Sequence, residues 1–284
     1  MPEYWVLITV RNGEETIDKS LSAILDQSIK PSLICITDDG STDSTPQILS
    51  RYKNLYPEIF RVITFPDRGY DSRRIVHNWN AACEHVENLH RNFDYLFIGS
   101  DDTIFPLHYV QTLIEEMGKH PELVITSGSR GIRSFQDTIP LPEGAGRFIR
   151  NSFFAMLGYR HPPYYGYESW ILYKALQLGY EIKKLDYLRY EHLRQFGTGH
   201  KFVEYGAGMR CLGYHPAYVI ARSLKNIFTG VTGIPVKYSL QMVWDYINAA
   251  KYKDDPYFHY YEPELRRYVR QLQKKKLLSL FGLN

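Results

Sequence analysis

With 284 residues, 44% of them hydrophobic and 23% charged, the chain is long enough for a large core, and its formal charge of +3 excludes the dense basic face of a dedicated nucleic-acid binder. No uncharged apolar run reaches the ~18 residues of a membrane span, and the amino terminus lacks the pattern of a secretory signal, so a cytoplasmic protein is expected. Cys35, Cys83 and Cys211 have no metal-ligand spacing and read as reduced, structural thiols.

The first element is an apolar, β-rich run from Tyr4 to Val10. Arg11-Asn12-Gly13 follows, then Ile17, Leu21, Ile24 and Leu25 at helical spacing: strand, loop, helix. The alternation repeats with a strand at Leu33 to Thr37, a helix from Thr45 to Tyr56 with Ser44 as N-cap, and a strand at Phe60 to Thr64. Ile75 to Val86 reads as a helix and Tyr95 to Ile98 as a strand. A helix from Pro106 to Met117, opening on its proline, and a strand from Leu123 to Ser127 come next. Such alternation over about 125 residues implies an α/β fold with a mostly parallel central sheet flanked by helices.

From Gly128 to Tyr165 the pattern weakens, with a short helix expected at Phe148 to Leu157. Glu168 to Leu178 is helical, Gly179 ends it, and Glu181 to Tyr190 is extended. Past His200 the pattern is helical, punctuated by Pro216, Gly230, Gly233 and Pro235.

Charge is uneven along the chain. Residues 201–284 hold 13 Lys or Arg against 6 Asp or Glu, a balance of +7, which leaves 21 against 25, or −4, for residues 1–200. In the tail Leu265, Tyr268, Val269 and Leu272 recur at helical spacing among Arg266, Arg267, Arg270 and Lys274 to Lys276. Two readings fit: a basic helix on an anionic bilayer at the cytoplasmic face of a membrane, or a helix packed on the domain with its charges in water.

Two acidic runs carry the chemistry. Asp38-Asp39-Gly40-Ser41-Thr42-Asp43 follows its strand at once, and a carboxylate there suits the ring N–H of a pyrimidine or a ribose hydroxyl; the same residue types also build Asx turns and helix caps. Asp101 and Asp102 follow the strand Tyr95 to Ile98. Hard oxygen ligands of this kind suit Mn2+ or Mg2+ bound together with substrate phosphates, although acids also favour a helix N-terminus in water. Two such runs after two strands of one sheet point to a nucleotide and a metal.

These motifs resemble glycosyltransferase family 2, over roughly residues 3–215. Thr9-Val10-Arg11-Asn12 is similar to the family's opening strand and loop, and Ile36 to Asp43 to its hydrophobic-Asp-Asp-Gly-Ser-x-Asp signature. Ser100-Asp101-Asp102 resembles the Asp-x-Asp metal motif in a two-acid form, with Gly99 where the first acid of the longer form stands. The resemblance implies a GT-A fold and a metal-dependent, inverting glycosyltransferase. Its donor would be a nucleotide-diphosphate sugar and its acceptor a glycan or a polyprenyl-linked molecule.

Carried over residue by residue, the resemblance implies that Thr9 and Asp39 contact the base, with Arg11, Asn12 and Asp38 in the same nucleotide loops. Asp101 would face the ribose, Asp102 the metal-bridged diphosphate, and Arg73 and Arg74 would lie near base or phosphates. Surface arginines at a helix start are the plainer reading of those two. His192 would donate to phosphate or join Asp101 and Asp102 around the metal; His200 is a weaker candidate for the same role. Gly166-Tyr167-Glu168 resembles the segment that carries the family's base, but Ser169 replaces the usual acid, so Glu168 or Asp186 supplies the carboxylate. Tyr159, Tyr164, Tyr165, Tyr167 and Trp170 either stack on sugar faces or pack a core.

The organisation expected is a catalytic domain over residues 1–212, with a nucleotide-binding half at 1–105 and an acceptor half at 106–212, followed by a basic helical extension at 213–284. Two other functions fit parts of the pattern. A nucleotidyltransferase uses a similar sheet and metal, but the chain lacks a glycine-rich basic loop for a triphosphate. A non-catalytic nucleotide-sugar-binding protein is suggested by Gly99 and Ser169, which stand where acids are expected.

Overall fold

The computed structural model describes residues 2–87, 93–130, 141–194, 203–229 and 235–280. They divide into two compact units: one of residues 2–87, 93–130, 141–161 and 180–194, the other of 162–179, 203–229 and 235–280. His200 lies outside the described residues.

The first unit holds the strands β1 (Tyr4–Val10), β2 (Leu33–Asp38), β3 (Phe60–Thr64), β4 (Tyr95–Ile98), β5 (Thr103–Ile104), β6 (Leu123–Ser129), β7 (Arg147–Arg150), β8 (Glu181–Arg189) and β9 (Glu191–His192). Between them run α1 (Ile17–Leu25), α2 (Thr45–Leu55), α3 (Ile75–Glu87), α4 (Tyr109–Lys119) and α5 (Asn151–Met156). Seven strands form one sheet in the order β3-β2-β1-β4-β7-β6-β8, and β5 pairs with β9 in a small antiparallel sheet.

β1 is the pivot. It pairs in parallel with β2 on one side and β4 on the other, so the chain winds away through β2 and β3 and then returns across β1. This reversal opens a crevice at the carboxyl ends of β1, β2 and β4, where both acidic runs emerge. The sheet is held by burial on both faces. Tyr4, Val6, Ile8 and Val10 join Ile17, Leu21 and Ile24 of α1 in one core cluster, while α3 packs on β1 and β2 with Val76, Trp79 and Cys83 buried. Each such aliphatic side chain contributes about 1.5–3 kcal/mol on leaving water.

Two local expectations change. The segment read as a helix at Phe148 to Leu157 starts instead as β7, antiparallel to both β4 and β6, and only Asn151–Met156 is helical. Phe148 and Ile149 are buried between neighbouring strands, and that pairing overrides local propensity. The helix expected from Pro106 begins at Tyr109, with His108 at its N-cap; Gln27 braces this start from outside, its Oε1 accepting Val110 N–H at 3.1 Å and its Nε2 donating to Pro106 O at 2.9 Å.

The second unit contains α6 (Tyr167–Gln177), α7 (Val203–Cys211), α8 (Pro216–Thr229), α9 (Val236–Ile247) and α10 (Pro263–Leu280). Its tail helix packs on α6 and α8, with Leu265 and Val269 fully buried. The apolar stripe read as a bilayer contact is therefore a packing face, and basic residues share in the packing: Arg266 lies against Gly213, and Arg270 Nε donates to Gly213 O at 3.4 Å. No described helix is long and apolar enough to cross a membrane.

Candidate active site

The crevice is built by loops that bind one another. Asn12, at the end of β1 with φ of +50°, donates its backbone N–H to Ser41 Oγ at 2.9 Å and accepts Thr42 N–H on Oδ1 at 2.8 Å. Its side chain ties the loop after β1 to the loop after β2. Arg11 continues the tie, donating to Asp39 O and, at 2.8 Å, to Gly40 O, while its Nη2 pairs with Asp67 at 2.6 Å. Gly40 is required where this loop meets the one after β3: φ is +70°, and a Cβ would lie 2.5 Å from Asp67 Cα.

The two acids at the end of β2 have separate fates. Asp38 is 1% exposed; its Oδ1 accepts Ser41 N–H at 2.9 Å, and its Oδ2 is buried with no hydrogen-bond partner. Asp39 is held by Arg74 through Nε at 3.2 Å and Nη2 at 2.9 Å. Arg73, by contrast, pairs with Asp71 in its own turn, Nε at 2.8 Å and Nη2 at 2.9 Å, so the structure brings only Arg74 of the two to the acidic loop. Thr9 sits beside these acids on β1, its Oγ1 2.7 Å from Thr37 Oγ1.

At the end of β4, Ser100 Oγ donates to Asp102 Oδ1 at 2.6 Å, and His192 Nδ1 lies 3.3 Å from the same oxygen. The pairing of β5 with β9 places His192 opposite Thr103, whose hydroxyl is 3.2 Å from Nδ1. Burial works to raise the Asp102 pKa, but the bonds from His192 and Ser100 outweigh it and hold the carboxyl below its ordinary value. For Asp101, burial and then the Asp102 charge push the carboxyl up to about 6, against the pull of Arg194.

Gly99 explains the two-acid form of this motif. A Cβ there would lie 3.0 Å from Ile8 Cγ1 and 3.5 Å from Ile24 Cδ1, so the position points into the core under α1 and has no room for a carboxylate.

The Asp101–Asp102–His192 group fits a hard divalent cation. Two adjacent carboxylates, one with its proton affinity raised by burial and then by the other's charge, are offset by added positive charge, and carboxylate oxygen is the donor that suits Mn2+ or Mg2+. Among the described residues no three His, Cys, Asp or Glu side chains converge closely enough to hold an ion alone. Its other ligands would come from substrate phosphates and water, as is usual for Mg2+.

The two carboxylates considered for the base differ in setting. Asp186 is on β8, an edge strand, 71% exposed and 3.3 Å from Lys184 Nζ, outside the contacts that join the loops after β1, β2 and β4. Glu168 belongs to the second unit, as the acid in the first turn of α6, after Gly166 at the N-cap. In that unit Trp170 stacks on Tyr261 at 6.4 Å and Tyr165 meets Tyr257 at 6.3 Å, so these two aromatic residues pack against the non-helical segment that precedes α10.

One residue of the site had no signal in the sequence reading. Arg194 pairs with Asp101 at 3.0 Å and donates to Asn12 O at 3.1 Å, bridging the loops after β4 and β1. The only local cue is a basic residue two positions after His192. Asp67, the partner of Arg11, was likewise missed, although an acid in the loop after a parallel strand was a usable sign.

The sequence profile described as glycosyl transferase family 2 matches residues 5–177, more than half of the chain. The minor teichoic acid biosynthesis protein GgaA of Bacillus subtilis (strain 168) is 35% identical over 100 residues, 34% of this chain and 21% of that protein. The putative glycosyltransferase EpsE of the same strain is 28% identical over 141 residues, 46% of this chain and 48% of that protein. The match thus spans about a fifth of the first relative and about half of the second.

Among solved structures, the mannosyltransferase PcManGT from Pyrobaculum calidifontis, in complex with GDP-Man and Mn2+, superposes with a TM-score of 0.60 at 16% identity, over 98% of this chain and 81% of that one. S. aureus TarS 1-349 in complex with UDP-GlcNAc gives 0.56 at 12% identity, over 94% and 78%. At these identities the likeness is one of fold, the GT-A arrangement.

Proposed function

This chain belongs to glycosyltransferase family 2, and from that premise we propose that it is a metal-dependent, inverting transferase. It moves a sugar from a nucleotide-diphosphate sugar to a glycan or polyprenyl-linked acceptor. The observation that carries this reading is the emergence of the Asp38–Asp39 run and the Asp101–Asp102–His192 group at the carboxyl ends of β2 and β4, the two parallel strands that flank β1. Relatives of the same fold were solved with GDP-Man and Mn2+ and with UDP-GlcNAc, which supports a nucleotide-sugar donor and a divalent ion.

In this reading Asp39, oriented by Arg74, contacts the base beside Thr9, and Asp38 supports the loop from its buried position, accepting Ser41 N–H. Asp102, with His192 and Asp101, would hold Mn2+ or Mg2+; when bound, the ion neutralises charge on the departing diphosphate. Arg194 keeps Asp101 in place and links it to the loop of Asn12. The base, which takes the proton of the acceptor hydroxyl as that oxygen bonds to the anomeric carbon and the diphosphate leaves from the opposite face, is assigned to Glu168 on the sequence resemblance alone. Asp186 is set aside because Lys184 already neutralises it at an exposed sheet edge.

Calorimetric titration of GDP and UDP with and without Mn2+ tests the proposal. Binding of one of them is expected to need the ion and to fall at least about tenfold in Asp102→Ala. Metal-independent binding, or binding unchanged in the variant, sinks it. Turnover of a nucleoside triphosphate with release of pyrophosphate would instead identify a nucleotidyltransferase.

A further inference from the structure

The α8–α9 pair leaves an apolar face uncovered. Along α8, Val219, Ser223 and Asn226 are buried, while Ile220, Leu224 and Phe228 are 46%, 47% and 82% exposed. Along α9, Ser239, Met242 and Tyr246 are buried, while Leu240, Trp244 and Ile247 are 57%, 60% and 65% exposed. Spacings of three and four residues put each exposed triplet on one stripe of its helix. The helices pack together, Ser223 Oγ donating to Ser239 O at 2.6 Å; Ile220 and Leu224 of one stripe and Leu240, Trp244 and Ile247 of the other line a single open groove, and Phe228 lies beyond it near the end of α8. A contiguous apolar face of this kind marks a docking surface.

Charge selects the occupant. Of the basic residues between Pro216 and Ile247, Lys225 and Lys237 adjoin the exposed stripes while Arg222 is turned toward the buried Tyr173, and the one acid there, Asp245, is fully buried and paired with Lys251. A second copy of the chain docked on this face would set like charges against each other. An anionic bilayer attracts them and takes up the apolar residues between them. Trp244 adds an aromatic side chain suited to the water–lipid boundary.

We propose that the α8–α9 face docks on an anionic phospholipid bilayer, with Phe228, Leu240 and Trp244 entering the headgroup layer. The stripe of α10 is not available for this role, since Leu265 and Val269 are buried. The inference does not rest on the sugar-transfer reading, and its residues lie outside the donor site.

The test floats the full chain with vesicles of phosphatidylcholine alone or mixed with about a third of phosphatidylglycerol. The protein is expected to rise with the anionic vesicles only, with blue-shifted tryptophan emission that is quenched by brominated acyl chains. Trp5, Trp79 and Trp170 are buried, so that signal reports Trp244. Phe228→Ser combined with Leu240→Ser should weaken partitioning about tenfold or more with the melting temperature kept, and Lys225→Gln with Lys237→Gln should weaken it on anionic vesicles by several-fold. Absence of flotation or of quenching in the wild type, which needs no variant, overturns the proposal. So does undiminished binding by the folded apolar variant, or a wild-type dimer that the same substitutions dissociate.

Discussion

Arg74 holds Asp39 by two hydrogen bonds, Nε at 3.2 Å and Nη2 at 2.9 Å, joining the start of α3 to the loop after β2. Their side chains are only 14% and 10% exposed, so neither charge has full access to water. The same guanidinium also donates to Gly69 O, linking the loop after β3 to the ion pair.

Removal of Arg74 leaves the Asp39 carboxylate largely buried and uncompensated. Arg74→Ala is expected to cost about 2–3 kcal/mol in urea unfolding and to weaken nucleotide binding. Arg74→Lys restores the charge without the two-point grip and should recover less than half of the loss. Wild-type stability in Arg74→Ala would show that the pair is dispensable.

Restoring an acid at position 99 should fail to build a better metal site. In Gly99→Asp the new Cβ meets Ile8 Cγ1 at 3.0 Å and Val6 Cγ1 at 3.4 Å, and the carboxylate that follows enters an apolar core. A loss of about 3 kcal/mol or more is expected, seen as a lowered melting temperature, with no gain in Mn2+ affinity. Tighter Mn2+ binding by a normally stable variant would contradict the inward direction of this position.

His161 predicts how stability responds to acid. It is 1% exposed, packed at 5.2 Å from Trp79 and 5.3 Å from Phe154, and burial followed by the Arg147 charge lowers its pKa from 6.5 to about 3. Below pH 6.5 the unfolded chain binds a proton that the folded chain refuses. The stability contribution is therefore complete above that pH and is lost progressively as pH falls toward 3, by up to about 1.4 kcal/mol per pH unit. Urea melts between pH 7 and pH 4 should show this slope in the wild type and a shallower one in His161→Leu; equal slopes would remove His161 as the cause.

Much of the architecture around the acidic loops is legible in the chain itself. β1, β2 and β4 stand out because continuous apolar runs are the mark of strands buried on both faces, and the acids that follow them fall at strand ends for the same reason. The roles inside those runs were less legible. Asp38 and Asp39 are adjacent and chemically alike, yet one keeps a buried, unpartnered oxygen and the other is clamped by an arginine 35 residues away.

Local periodicity and motif spacing were enough to determine the α/β alternation and the acidic loops after β2 and β4, because each depends on residues near one another in sequence. Tertiary packing alone decided that Phe148 and Ile149 extend as a strand, that position 99 faces Ile8 and Ile24, and that the stripe of α10 is covered while those of α8 and α9 are not. It also decided that Arg194 reaches Asn12 across 182 residues to brace Asp101. Such contacts follow from which surfaces are left to bury once the sheet has formed, and no pattern within a short window encodes them.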